Sequence, residues 1–336
     1  MRKIIIYFLI LIIFVLGTSV YALNEEKIEE QKNTFEVNKF INDAGEYINE
    51  DFLNHDEIND LLSNAIKGNV NNKKVLSKIT SLFGKEFKNT IGTLSSILVI
   101  IVIHSILKSV SENLNDQNIS KLIYYVQYIM IVTLVMKNFT DIITQIKDAA
   151  NNMVGFINIL IPLLTSLMLF TGSITTTSMI QPVILFSVNF IGNLIQNILI
   201  PIVLVYASLS IISKITDKIQ IKRLSKIFKS GITWFLGIGL TIFVAVISLE
   251  GTLSSGIDGV TAKTTKAVVS SAIPIVGKIL GDAVDSVLGC GIILKNAVGI
   301  IGVLIIVGIC LMPIIRLSLM MISYKVIARD NRTNSR

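Results

Sequence analysis

Residues Ile292–Ile315 read IILKNAVGIIGVLIIVGICLMPII, with Lys295 as the only charged residue. A hydrocarbon core about 30 Å thick is crossed by about 20 apolar residues in a helix, so this stretch is long enough to span a bilayer. Comparable runs recur at Ile91–Leu107, Ile119–Met136, Met153–Phe170, Met179–Asn197, Ile198–Ile212 and Ile232–Leu249. The composition agrees: 52% of the 336 residues are hydrophobic, 16% are charged and the mean hydropathy is +0.70, whereas soluble domains carry about 25% charged residues. Lipid admits only helices or closed barrels, because every backbone polar group must be satisfied internally. Barrel strands would show as short alternating segments, and these runs are continuous. The expected fold class is all-α, a polytopic helical membrane protein with about seven spans.

The amino terminus has a different pattern. A basic start, MRK, precedes the short apolar stretch Ile4–Leu16 and the small-residue ending Val20-Tyr21-Ala22. That is the three-part form of a secretory signal peptide, which predicts cleavage of residues 1–22 after Ala22. An uncleaved first helix is the alternative. Residues 23–90 then form the hydrophilic region, with 13 Asp/Glu against 9 Lys over 24–90, a net of 9 − 13 = −4. Phe35, Ile41, Ile48 and Phe52 fall at loosely helical spacing. Two or three short amphipathic helices are expected, in a region close to the lower size limit for an independent core. A partner or membrane-surface role suits it better than catalysis.

Charge orients the spans. The stretch KITDKIQIKRLSKIFK (214–229) carries six basic residues against Asp217 alone, and Lys and Arg concentrate in cytoplasmic loops. Starting outside after a cleaved signal, five crossings bring this loop inside, provided Met179–Ile212 divides in two at Pro201, where proline breaks a helix. Two more crossings leave Arg316, Lys325 and the polar tail 326–336 inside, completing a membrane domain over 91–325. The net charge of +7 is then a matter of topology and contact with anionic lipid, with no nucleic-acid footprint.

Motifs that carry chemistry are missing from the sequence. It has no phosphate-binding glycine loop, no His-Glu-x-x-His and no Cys-x-x-Cys. Cys290 and Cys310 are 20 residues apart, about 30 Å along one helix, too far to bridge. His104 and Lys108 share a helical face (i, i+4) near a span end; a titrating group in a membrane is by default a functional candidate, but reach to the headgroups from this position favours a structural role. The aspartates flank spans instead of sitting within them, unlike an intramembrane protease. The expectation is a non-enzyme that needs no cofactor or metal.

Two polar features remain. Asn189, Asn193, Gln196 and Asn197 form an amide stripe at helical spacing, with Asn158 and Gln181 elsewhere. Such amides act either as interhelical glue or as the lining of a wet passage. The second feature is GIDGVTAKTTKAVVSSAIPIVGKILGDAVDSVLG (256–289), too polar to span a bilayer and too apolar for a solvated loop. Asp258 and Lys263 lie in its first half, Pro274 divides it, and Gly277 and Gly281 are four apart. Asp282 and Asp285 (i, i+3) place two carboxylates near one face. An interfacial or re-entrant helical pair on the extracytoplasmic side fits these residues, acting as a packing or gating segment. The plainer reading is a surface connector.

DGVTAKT followed by PIVGK and DAVD resembles the signature of the stage III sporulation protein AE family of endospore-forming Firmicutes. The order of signal peptide, hydrophilic region and several spans is similar too. The resemblance implies a multi-pass protein of the mother-cell membrane around the forespore. It implies a part in the sporulation channel, or feeding-tube apparatus, joining the two cells, and a need for it in late forespore development. Implied partners are other membrane proteins of that complex, including ring-forming proteins and a cytoplasmic secretion-type ATPase. Family members continue past SYKVIA into a further amphipathic stretch and a last span, whereas RDNRTNSR here is polar; a truncated end is expected. Two other function classes stand beside this one. A small-molecule secondary transporter would show paired broken-helix repeats, and a purely structural membrane anchor would need packing alone.

Overall fold

The computed structural model describes residues 25–48, 52–68, 72–113, 117–215, 219–272 and 276–333. Among the described residues there is no strand, so the all-α class is as expected. The proposed signal peptide, residues 1–22, lies outside them.

The hydrophilic region folds as three short helices, α1 (Glu25–Thr34), α2 (Val37–Gly45) and α3 (His55–Ile66). Apolar residues three and four apart give α2 and α3 one inward stripe each. Val37, Phe40, Ile41 and Ala44 are buried on α2, and Ile58, Leu61 and Leu62 on α3. Glu36, between α1 and α2, takes a left-handed φ of 50°, uncommon for a residue with a side chain. Asn54 fixes the start of α3. Its Oδ1 accepts from the Glu57 backbone N–H at 2.9 Å, and Glu57 Oε2 accepts from the Asn54 N–H at 3.1 Å. Such a reciprocal cap is worth about 1 kcal/mol.

Long helices follow: α4 (Asn72–Asn113), α5 (Gln117–Phe170), α6 (Ile174–Leu194), α7 (Ile200–Ile215), α8 (Ile219–Ala272) and α9 (Val276–Thr333). Helices α5 and α8 have 54 residues each and α9 has 58. At 1.5 Å per residue these are about 80 Å long or more, well beyond a hydrocarbon core. Four stretches among the described residues are long and apolar enough to cross a membrane: Lys121–Phe170, Thr177–Ser213, Gln220–Ala245 and Ser286–Lys325.

The separate spans of the sequence reading are thus joined into longer helices. Residues 137–152, expected as a connection, contain neither Gly nor Pro, and nothing in them stops the helix. The expected break at Pro201 is a π-helical turn, Ile195–Leu199, between α6 and α7. Pro201 has no N–H for the carbonyl of Asn197, four residues back, and its ring crowds that carbonyl. The backbone widens there and stays helical. A true reversal occurs between α5 and α6, where Gly172 adopts a φ of +87°. Ser173 N–H donates to Met168 O at 2.9 Å and Gly172 N–H to Leu169 O at 3.0 Å, the paired bonds of a Schellman stop.

The chain divides into two compact units. The first comprises Met1–Val75, Asn151–Leu194 and Trp234–Ile309. Its core joins the short helices to α5 and α9: Phe40 meets Phe156 with ring centroids 6.0 Å apart, and Phe35 meets Phe170 edge-on at 5.2 Å. Glycines make room. A Cβ on Gly302 would come within 2.7 Å of Leu160 Cδ2, and one on Gly308 would strike Phe52 and Ile48. Gln31 Nε2 donates to the Val287 carbonyl at 3.0 Å. The second unit comprises Leu76–Ala150, Ile195–Thr233 and Cys310–Arg336. Its buried residues include Leu82, Ile142, Ile200, Leu311, Ile315 and Leu319.

Candidate functional site

The residues expected to matter are placed unevenly. Asp258 and Lys263 lie on the helical backbone of α8, and Gly277, Gly281, Asp282 and Asp285 on the first turns of α9. Their side chains and Pro274 lie outside the described residues, as do the side chains of His104 and Lys108.

The amide stripe is described. Asn189 and Asn193 are exposed on α6, while half-buried Gln196 and exposed Asn197 fall in the π turn. Asn189 pairs with Asn158 of α5: Asn158 Nδ2 donates to Asn189 Oδ1 at 3.2 Å, and Asn189 Nδ2 donates to Asn158 Oδ1 at 2.9 Å. Asn189 Nδ2 also donates to the Leu185 carbonyl at 2.8 Å. Near this pair Val154 occupies the space a side chain on Gly192 would need.

Asn158 also lines a cleft of about 510 Å³ between α1–α2 and α5. Phe35, Phe40 and Leu163 give it apolar walls, and Glu36, Lys39, Asp43 and Ser166 give it polar ones. Lys39 Nζ lies 3.3 Å from Glu36 Oε2, both groups being exposed. Pro162 lies in the wall as well and has no N–H to offer the Asn158 carbonyl one turn back. The Pro162 carbonyl itself accepts the hydroxyls of Thr165 at 2.9 Å and Ser166 at 2.8 Å. The cleft therefore joins the opposite charges of the α1–α2 side to hydroxyls and a backbone acceptor on α5.

Other residues of this unit were given no role by the sequence reading. Lys295 is half-buried in the most apolar candidate span, one turn from Gly291, whose face meets Phe170 and Thr171. Among the described residues it forms no ion pair. Its signal was present, a single cation inside an apolar run. The packing glycines Gly291, Gly302 and Gly308 carried no signal, since their spacing becomes meaningful only with the partner helices in place. Cys290 is buried and Cys310 half-buried, both as free thiols. Among the described residues no group of three His, Cys, Asp or Glu could hold a metal ion.

A chain whose described residues are helical, with four stretches long and apolar enough to cross a membrane, is a membrane protein by class. Comparison with known proteins carries this to a family. The stage III sporulation protein AE model matches residues 56–329, and the chain belongs to that family. Stage III sporulation protein AE of Bacillus subtilis (strain 168) is similar, with 34% identity over 238 residues, 70% of this chain and 60% of that relative. The match thus spans less than two thirds of the relative's length. No solved structure matches the chain.

Proposed function

We propose that this protein is an integral membrane component of the sporulation-specific, secretion-like channel between mother cell and forespore. It would sit in the mother-cell membrane around the forespore, as a multi-pass protein delivered by a cleaved signal peptide. It acts there without a reaction of its own, in complex with ring-forming membrane proteins and a cytoplasmic secretion-type ATPase. The observation that carries this reading is the family match over residues 56–329, which takes in all four stretches long and apolar enough to cross a membrane. A conduit component needs polar groups along its path, and the Asn158–Asn189 pair with its cleft supports that reading.

Co-purification of the tagged protein from sporulating cells tests this directly. Ring-forming proteins and the ATPase should come down with it from solubilised membranes. Recovery of intact, membrane-inserted protein with neither partner would overturn the proposal.

A further inference from the structure

Two surfaces of opposite character meet along α5 in the first unit. One belongs to α1 and α2, held by the Phe35–Phe170 and Phe40–Phe156 contacts. Its outward residues include Glu29, Glu30, Glu36, Lys39 and Glu46, and among described residues 25–68 no large hydrophobic side chain is exposed. The other belongs to α6, held by the Asn158–Asn189 pair. Its exposed residues include the large apolar side chains Met179 (54% exposed), Phe186 (70%) and Phe190 (53%), beside the amides Asn189 and Asn193. Phe186 and Phe190 stack at 5.8 Å on that outer face. The same unit includes Trp234–Val244 of α8, where Trp234 is 70% exposed, Leu240 65% and Ile242 59%.

These surfaces share one height. Phe156 to Phe170 is about 21 Å of helix, with α1–α2 along it on one flank. The antiparallel α6, from Asn189 back to Ile174, runs along it on another. Any bilayer that covers the aromatic face of α6 therefore also covers the level of Glu36, Lys39 and Asp43.

Neither uniform environment suits this unit. In lipid alone, each outward charge would cost about 3 kcal/mol or more at the bilayer centre. In water alone, Phe186, Phe190, Trp234, Leu240 and Ile242 would all stand exposed, an apolar surface of the kind that soluble proteins keep small. Resting on the membrane reading above, we propose that this unit lies at bilayer depth with α6 and Trp234–Val244 against lipid. Its α1–α2 face and cleft then lie against water, so that the unit is one wall of a water-filled passage. In the wall of that cleft the Asn158 carbonyl receives no N–H from Pro162, a group that water can serve. The amphipathic helices thereby bring a charged lining to a depth where the long helices have little.

Single cysteines at Ser166 and Phe186, in full-length protein with Cys290 and Cys310 replaced by Ser, test the sidedness. Both positions are exposed, so a small fluorescent label has room at each, at the loss of the Phe186–Phe190 stack and the Ser166–Pro162 hydrogen bond alone. In reconstituted vesicles, aqueous iodide should quench the label at Ser166→Cys severalfold more than that at Phe186→Cys. A nitroxide on the lipid acyl chains should reverse the order. If both labels answer only to the lipid quencher, the unit is surrounded by lipid and the passage wall is wrong, while the membrane reading stands. If both answer only to iodide, the unit is outside the bilayer and its membrane reading falls as well.

Discussion

The side chains that decide how α5 and α6 meet are Asn158 and Asn189. Their reciprocal hydrogen bonds, at 3.2 and 2.9 Å, satisfy two amides where lipid would satisfy neither. Interhelical polar pairs in membranes contribute about 0.6 kcal/mol on average, up to about 1.7, and an orphaned amide costs more than a pair gains. Asn158→Leu and Asn189→Leu should each destabilise the protein by about 1 kcal/mol, and the double variant by less than the sum. Denaturant titration of the four proteins in detergent micelles measures this. Strictly additive losses would mean that the pair is not coupled. The sequence marked Asn189 through its stripe of neighbours and noted Asn158 separately. It could not show that the two share a bond, because a residue 31 positions away becomes a neighbour only through the turn at Gly172.

At the scale of elements, helix existence was legible and helix extent was not. Apolar runs of spanning length form helices because lipid and backbone both require it. Hydropathy suggested ends at 136 and 153, but hydropathy alone does not stop a helix. Stopping takes a Gly, a Pro or a competing cap, and the turn at Thr171–Ser173 has one. The amphipathic stripes of α2 and α3 were legible too, though not what they cover. Phe40 and Phe52 are 6% and 2% exposed, and their contacts include Phe156 and the notch at Gly308. The burial that stabilises these helices thus comes from α5 and α9 as well as from each other. A peptide of residues 25–68 has too short a chain for a core of its own. It should be largely unfolded in water by circular dichroism and gain helicity in detergent micelles. Cooperative thermal unfolding of the free peptide would show that it is an independent domain.

At the scale of the molecule, the distribution of charge argues for an orientation. The stretch 214–229 holds six of the basic residues; on α8, Lys222, Arg223, Lys226 and Lys229 are all exposed. Each exposed Lys or Arg near an anionic cytoplasmic leaflet is worth about 1 kcal/mol, and such residues mark the cytoplasmic side. Five residues beyond Lys229 comes Trp234, 70% exposed, of the residue type that anchors helices at headgroup level. From Trp234 to Val244 the exposed large side chains are apolar. Basic residues, then an aromatic, then lipid-facing aliphatics is the order met when a helix passes from cytoplasm into the bilayer. On the proposed topology the hydrophilic helices α1–α3, acidic in net charge, face water that is open to the outer side. A cysteine at Lys222, in protein lacking Cys290 and Cys310, should therefore be shielded from an impermeant thiol reagent in intact cells and react once the membrane is opened. A cysteine at Asp56, exposed on α3, should react without opening. Reaction at Lys222 in sealed cells would reverse the orientation of α8. The basic stretch would then have to bind something other than the inner leaflet, leaving the charge rule without force for this chain.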